Sequence, residues 1–353
     1  MQDNGQASGQ GNGQANGPVQ RALEELRWLS FMLPREAVQL AGRHLPLARL
    51  RDHLPRFVGE RLRMGLYPAR VTDPLHVSCA RSHPAWGEPP SLDPMRPVRY
   101  AEPPRASILV VTYGNLELTR LCLGSLQRAA GALPFEVIVV DNRSPDGTAA
   151  YLREVEASGL LPLRTILNAD NRGFAAANNQ AAEQARGDVL VLLNNDTVVR
   201  PGWLEALVAT LDADPSVGLV GPVTNSSGTD AQLGTPYPDL DAMQDFAAAY
   251  TAQHAGETRE PAMLALFCTA VPRALYRAVG GLDERYGLGL FEDDDLAMAV
   301  RRAGRRLVLR HDVFVHHYGG AAFGKLPPRR YLKLWWQNRR RFERKWRTTW
   351  QKR

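Results

Sequence analysis

From Ser107 onward the chain repeats one unit, a short apolar run followed by a segment with helical spacing. The runs are Ser107 to Val111, Phe135 to Val140, Leu163 to Leu167, Asp188 to Leu193 and Val217 to Val220. Short apolar runs separated by helix-compatible stretches predict βαβ units and a mostly parallel sheet. In such sheets ligands bind outside the carboxyl ends of the strands. The polar residues that follow the runs are therefore the candidates: Thr112 to Asn115, Asp141 to Ser144, Asn168 to Gly173 and Asn194 to Thr197. No G-x-G-x-x-G follows the first run, which argues against a dinucleotide-binding domain.

The ends of the chain have a different texture. Residues 1–20 are almost wholly Gly, Gln, Asn, Ala and Ser and predict a disordered tail. Residues 21–66 read as a basic helical extension, with Leu23, Leu26, Leu29 and Leu33 at helical steps, and residues 67–105 as a proline-rich surface linker. The main domain is expected over 106–326 and a basic aromatic helix over 327–353. There Leu332, Trp335, Phe342 and Trp346 share a face among Arg339, Arg340, Arg341, Arg344 and Lys345. This helix is expected to pack on the domain, with association at a membrane surface as a second role.

The formal net charge of +6 suits an anionic partner, but no nucleic-acid module accompanies it, so none is expected as a ligand. The three cysteines are odd in number and far apart, which fits a reducing compartment. No run is long enough to span a bilayer and no signal peptide is evident at the N-terminus. A cytoplasmic location, peripheral at the inner face of the cell membrane, is the expectation.

Two clusters carry chemistry. Four successive acids, Glu292 to Asp295, stand before a helical run. Acids favour a helix N-terminus, but carboxylates this close also raise one another's pKa, as a general base requires. Asp196, beside Asn194 and Asn195, offers hard oxygen ligands for Mg²⁺ or Mn²⁺. His316 and His317 follow an apolar DVFV, and strand alternation sends them to opposite faces, so only one can readily enter a site. His311 reads as structural.

Taken in order, TYGNLELT, VVDNRSPDGT, NRGFAAANN, LLNNDTVVRPGWL, VGPVTNSSG, GGLDERYGLGLFEDDDL and DVFVHHYGG resemble family 2 glycosyltransferases of the GT-A fold, from about Ala106 to about Gly324. The resemblance implies an inverting, metal-dependent enzyme. It would move a sugar, hexosyl or deoxyhexosyl, from a nucleotide-diphosphate donor to a glycan or lipid-linked saccharide in cell-surface polysaccharide synthesis. It also implies roles. Thr112, Asp141, Asn171, Gly173 and Asn178 would line the nucleotide pocket, with Asn195 and Asp196 at the D-x-D position, and Asp196 would bind the metal. His317, or else His316, would be a further metal ligand. Asp293 would be the general base, with Glu292 its partner. On electrostatic grounds, Arg301, Arg302, Arg305 and Arg306 are expected to moderate the repulsion among the acids. Two positions depart from the family pattern: Asn194 replaces the first acid of D-x-D, and Gly114 follows Tyr113 where an Asn is more usual.

Two rivals stand beside this. A haloacid-dehalogenase-type phosphotransferase needs a nucleophilic aspartate where this chain has Asn194. A catalytically inactive relative that only binds nucleotide-sugar or glycan is opposed by the presence of Asp196, Asp293 and the histidine pair.

Overall fold

The structure, a computed structural model, describes residues 92–235, 237–319 and 328–351. The tail, the helical extension and most of the linker expected from the sequence lie outside the described residues.

The βαβ reading holds through the first half of the domain. Strands β1 (Ala106–Thr112), β2 (Phe135–Asp141), β3 (Leu163–Leu167) and β4 (Val189–Asn194) alternate with helices α1 (Leu116–Arg128), α2 (Thr148–Ser158) and α3 (Phe174–Gln184). All four strands are parallel, in the order β3-β2-β1-β4. After the two-residue strand β5 (Thr197–Val198) come α4 (Trp203–Ala213), β6 (Val217–Val223) and α5 (Leu240–Gln253). Then follow β7 (Thr258–Arg259), β8 (Cys268–Pro272), α6 (Arg273–Ala278), α7 (Glu292–Arg302), β9 (Arg306–Phe314), β10 (His316–His317) and α8 (Pro328–Trp346).

Strand β8 inserts antiparallel between β4 and β6, and β6 then pairs in parallel with β9, giving the sheet order β3-β2-β1-β4-β8-β6-β9-β7. This mixed, mostly parallel sheet between helical layers is the GT-A architecture expected from the sequence. Its strands are apolar on both faces because both faces are covered. One face packs Ile108, Val110, Val137 and Val191 against α1, α2 and α4. The other packs Leu109, Ile138 and Leu192 against α3, α5 and α7. The small residues Ala175, Ala177 and Ala181 bring α3 onto that second face.

At the N-terminal side, residues 92–105 are irregular, yet Leu92 and Val98 are buried in the core. This stretch is anchored by its apolar residues as it crosses the surface. At the C-terminal side, α8 packs on the domain: Trp335 and Phe342 are buried against Phe291, with ring centroids 5.7 and 5.9 Å away.

Candidate active site

Register places the candidate residues on one edge. Thr112 pairs with Asp141 and Val111 with Asn194, so β1, β2 and β4 end together. Thr112 Oγ1 donates to Asp141 Oδ1 at 2.8 Å, and the Ser144 backbone N–H donates to Asp141 Oδ2 at 3.1 Å, with the Ser144 hydroxyl a further donor. Ser144 Oγ also accepts from the Gly114 N–H at 2.6 Å. Gly114, at φ 70°, makes the left-handed turn that brings this N–H inward, which suits glycine. Among the described residues, this buried carboxylate is thus oriented by neutral donors.

Next to it, Asn142 Nδ2 donates to the Gly173 carbonyl at 3.1 Å, and Gly173 N–H donates to Asn171 Oδ1 at 2.9 Å. Gly173 sits at φ 87°, and a Cβ there would lie 2.0 Å from the Gly287 carbonyl oxygen, so the turn requires glycine. Asn178 lies one turn into α3, buried, and donates to its own helix at the Phe174 carbonyl, 3.0 Å away. The structure therefore brings Thr112, Asp141, Asn171 and Gly173 around one edge, and places Asn178 inside the helix behind them. Asn195 Nδ2 donates to Thr119 Oγ1 at 3.0 Å, joining α1 to the end of β4.

The short sheet formed by β5 and β10 brings the histidines to Asp196. His317 pairs with Thr197 in antiparallel register. Its Nε2 lies 3.2 Å from Asp196 Oδ1 and 3.3 Å from Asn194 Nδ2. Its Nδ1 is 2.6 Å from the Ser226 carbonyl. A carbonyl only accepts, so Nδ1 carries the proton and, in the neutral ring, Nε2 presents a lone pair towards a carboxylate. A proton or a cation at Nε2 resolves that contact. Burial is the largest influence on the His317 pKa and lowers it, but the Asp196 charge, the hydrogen bond to Asp196 and the one to the Ser226 carbonyl together outweigh it, and the net direction is upward.

The pair fits a divalent ion. Two adjacent ligands that each bond at about 2.1 Å stand about 3 Å apart, and a ligating histidine commonly has its other N–H held by a carbonyl. His317 is fixed further by Asn225, whose side chain bonds both its N–H and its carbonyl at 2.8 and 3.0 Å, and by stacking on Phe267 at 5.0 Å. His316 faces the other way, fully buried, with Nδ1 2.8 Å from the Tyr237 hydroxyl. Of the two histidines, only His317 is brought to Asp196.

The acidic run begins α7. The chain enters it through Leu290 and Phe291, both left-handed at φ 77° and 78°, a costly conformation for bulky residues. The loop is held by Asn338 of α8, fully buried, whose Nδ2 donates to the carbonyls of Tyr286 and Gly289 at 2.8 Å and of Leu290 at 3.2 Å. Glu292, Asp294 and Asp295 are buried, and Asp293 is half-buried. Burial, then the Asp293 charge, raises the Glu292 pKa. Burial also raises that of Asp293, against backbone N–H groups of Asp293 itself and Leu266 that pull it down.

Asp295 has a different task. It accepts from Tyr286 Oη at 3.0 Å, Lys345 Nζ at 2.6 Å and Trp346 Nε1 at 2.7 Å. Lys345 of α8 is thus a cation paired with the acidic run, at Asp295. Of the arginines expected in that role, Arg305 bonds the Pro215 carbonyl and Arg306 pairs with Asp214, while Arg301 reaches the Pro261 and Ala262 carbonyls. Arg302 is exposed. Helix direction explains this, since α7 carries its acids in its first turn and Arg301 and Arg302 in its last.

With these residues in place, the comparisons are decisive for the family. Residues 107–270 match the sequence profile described as Glycosyl transferase family 2. This segment is a family 2 glycosyltransferase domain. Among its relatives, the O-antigen biosynthesis protein RfbC of Myxococcus xanthus is 29% identical over 232 residues, 62% of this chain and 18% of that protein. The N-acetylglucosaminyl-diphospho-decaprenol L-rhamnosyltransferase of Mycobacterium tuberculosis is 27% identical over 245 residues, 62% of this chain and 78% of that enzyme. A Sinorhizobium fredii relative is 30% identical over 230 residues, 25% of its own length. The chain therefore spans a quarter or less of the Myxococcus and Sinorhizobium proteins. A Pyrobaculum calidifontis mannosyltransferase, solved with GDP-Man and Mn²⁺, is similar with a TM-score of 0.46 and 25% identity, covering 65% of this chain and 59% of that one.

The sequence reading left several functional positions without roles. Asn225 and Ser226 lie in VGPVTNSSG, but only the folded chain shows them locking His317. Asn338 stands among arginines in an amphipathic helix, with no local signal that it reaches a loop about fifty positions away.

Proposed function

We propose that this domain is an inverting, metal-dependent glycosyltransferase. It transfers a hexosyl or deoxyhexosyl group from a nucleoside-diphosphate donor to a hydroxyl of a glycan or lipid-linked saccharide, in cell-surface polysaccharide synthesis. The observation that carries the reading is the meeting of Asp196 and His317 at the strand edge, with the histidine tautomer set by Ser226. Asp196 and His317 would hold Mg²⁺ or Mn²⁺, which when bound supplies charge neutralisation for the departing diphosphate.

The protein's own groups do the rest. Asp141 and the Asn171–Gly173 turn orient the nucleotide. Glu292, buried beside Asp293, favours uptake of a proton by the pair, and the half-buried Asp293 is the member that meets the acceptor. Asp293 takes the acceptor hydroxyl proton as the oxygen bonds to the anomeric carbon and the bond from that carbon to the diphosphate oxygen breaks. A single displacement from the face opposite the leaving group inverts the anomeric configuration.

Among the described residues no helix is long and apolar enough to cross a membrane. The basic face of α8, with Trp336 exposed, suits a peripheral position at the cytoplasmic face of the cell membrane. The test is a panel of nucleotide-sugars with the purified full chain, with Mg²⁺, Mn²⁺ or chelator, reading released nucleoside diphosphate and donor binding. Turnover with metal, lost with chelator and with weakened donor binding in Asp196→Ala, is expected. Folded protein that neither turns over nor binds any donor overturns the proposal, and binding without turnover marks an inactive relative.

A further inference from the structure

His311, structural in the sequence reading, stands in a cluster that the transfer reaction does not use. It lies on β9 at the outer edge of the sheet, where β7 is the last strand. Opposite it is the turn from α5 to β7, which carries His254 at the helix C-cap and Glu257 three residues on. We propose that His254, Glu257 and His311 form a second divalent metal site, for a borderline transition ion such as Zn²⁺, Co²⁺ or Ni²⁺.

The three residues each offer a ligand atom, and these atoms all lie within 4.8 Å of one another. His254 Nδ1 is already 2.6 Å from Glu257 Oε2. Small side-chain rotations bring such a set to bond lengths of about 2.0–2.2 Å. The backbone beneath it is fixed: His311 N–H donates to the Glu257 carbonyl at 3.0 Å, and Gly256, left-handed at φ 76°, donates its N–H to Asp312 Oδ2 at 2.8 Å. Asp312 is also gripped by Arg310 through both oxygens at 2.6 Å, so it braces the turn.

Tyr250 supplies an outer layer. Its hydroxyl is 3.2 Å from His311 Nδ1, which leaves Nε2 to face an ion, and its ring lies tilted against that of His254 with centroids 4.2 Å apart. Two imidazoles and one carboxylate disfavour Mg²⁺, which prefers oxygen alone. Three protein ligands leave a position for solvent. A bound ion would staple the α5–β7 turn to β9, the strand that leads directly into His317.

Cobalt titration of the full chain, followed by visible absorption, tests the site apart from the Asp196 pair. Both the wild-type protein and Asp196→Ala are expected to show a cobalt band. In the Asp196→Ala background, adding His254→Ala or Glu257→Gln should weaken cobalt binding at least about tenfold, since outer-layer changes alone cost 10- to 100-fold. Glu257→Gln keeps the shape of an exposed side chain, so the comparison survives if a histidine variant folds poorly. Zn²⁺ should raise the melting temperature of Asp196→Ala but not of the double variants. Cobalt binding unchanged by both Glu257→Gln and His254→Ala, or no cobalt band in Asp196→Ala, overturns the proposal.

Discussion

Strands β1 and β2 carry the same kind of buried pair at both ends, and the two are completed differently. At the amino end Ser107 Oγ donates to Glu136 Oε1 at 2.7 Å; at the carboxyl end Thr112 Oγ1 donates to Asp141 Oδ1 at 2.8 Å. Glu136 then receives the Arg186 backbone N–H at 2.7 Å and the guanidinium groups of Arg186 and Arg164 at 2.8 and 3.1 Å. Among the described residues, Asp141 receives only Ser144 in addition. Burial raises the Glu136 pKa, but its donors and cations outweigh that and the net direction is downward. The amino end is electrostatically closed and serves stability. At the carboxyl end no cation among the described residues pairs with Asp141, and the raised Glu292 and Asp293 belong to the same side of the comparison.

The largest effect should come from the reactive side. Asp293→Asn is expected to slow transfer by about a thousandfold or more, with donor affinity measured by calorimetry nearly unchanged; transfer at the wild-type rate would remove Asp293 as the base. Glu136→Ala should do the opposite, costing about 3 kcal/mol of stability in denaturant titration while kcat stays the same. If it instead depressed turnover, the division between the ends would be wrong. Asn338→Ala strips the donor from three loop carbonyls and should cost about 2 kcal/mol, with kcat falling more than KM rises. Asp141→Asn keeps the size of the side chain and should weaken donor binding about tenfold, about 1.4 kcal/mol, with a smaller change in melting.

The smallest effect is in acid. Because the folded-state pKa of Glu136 is depressed, its contribution is fully present above the unfolded value, near 4.3, and is lost as pH falls from there through the folded value. Wild type and Glu136→Ala should therefore converge in stability below about pH 4. Curves that stay parallel down to pH 2 would show that the side chain acts by packing alone.

What the sequence disclosed follows from the reach of each signal. The parallel half of the sheet was legible because its strands are continuous apolar runs bounded by helices. Strand β8 was not, since Cys268–Pro272 is five residues long, ends in proline and takes its place only by pairing with β4. Asp196 and the acidic run stood out by composition. The choice between His316 and His317 needed the β5–β10 pairing, and the identity of the compensating cation needed α8 folded back so that Lys345 could reach Asp295. Contacts between positions far apart in the chain leave no local periodicity to read.

The contact of Gly173 with the Gly287 carbonyl has a practical corollary for redesign. The turn at the carboxyl edge of the strands and the loop that leads to Asp293 abut without any side chain between them, so they behave as one part. Recombination between relatives at a crossover from 174 to 286 would separate halves that fit only as a matched set. Exchanges that take both segments from one parent are the ones that should keep the seam closed.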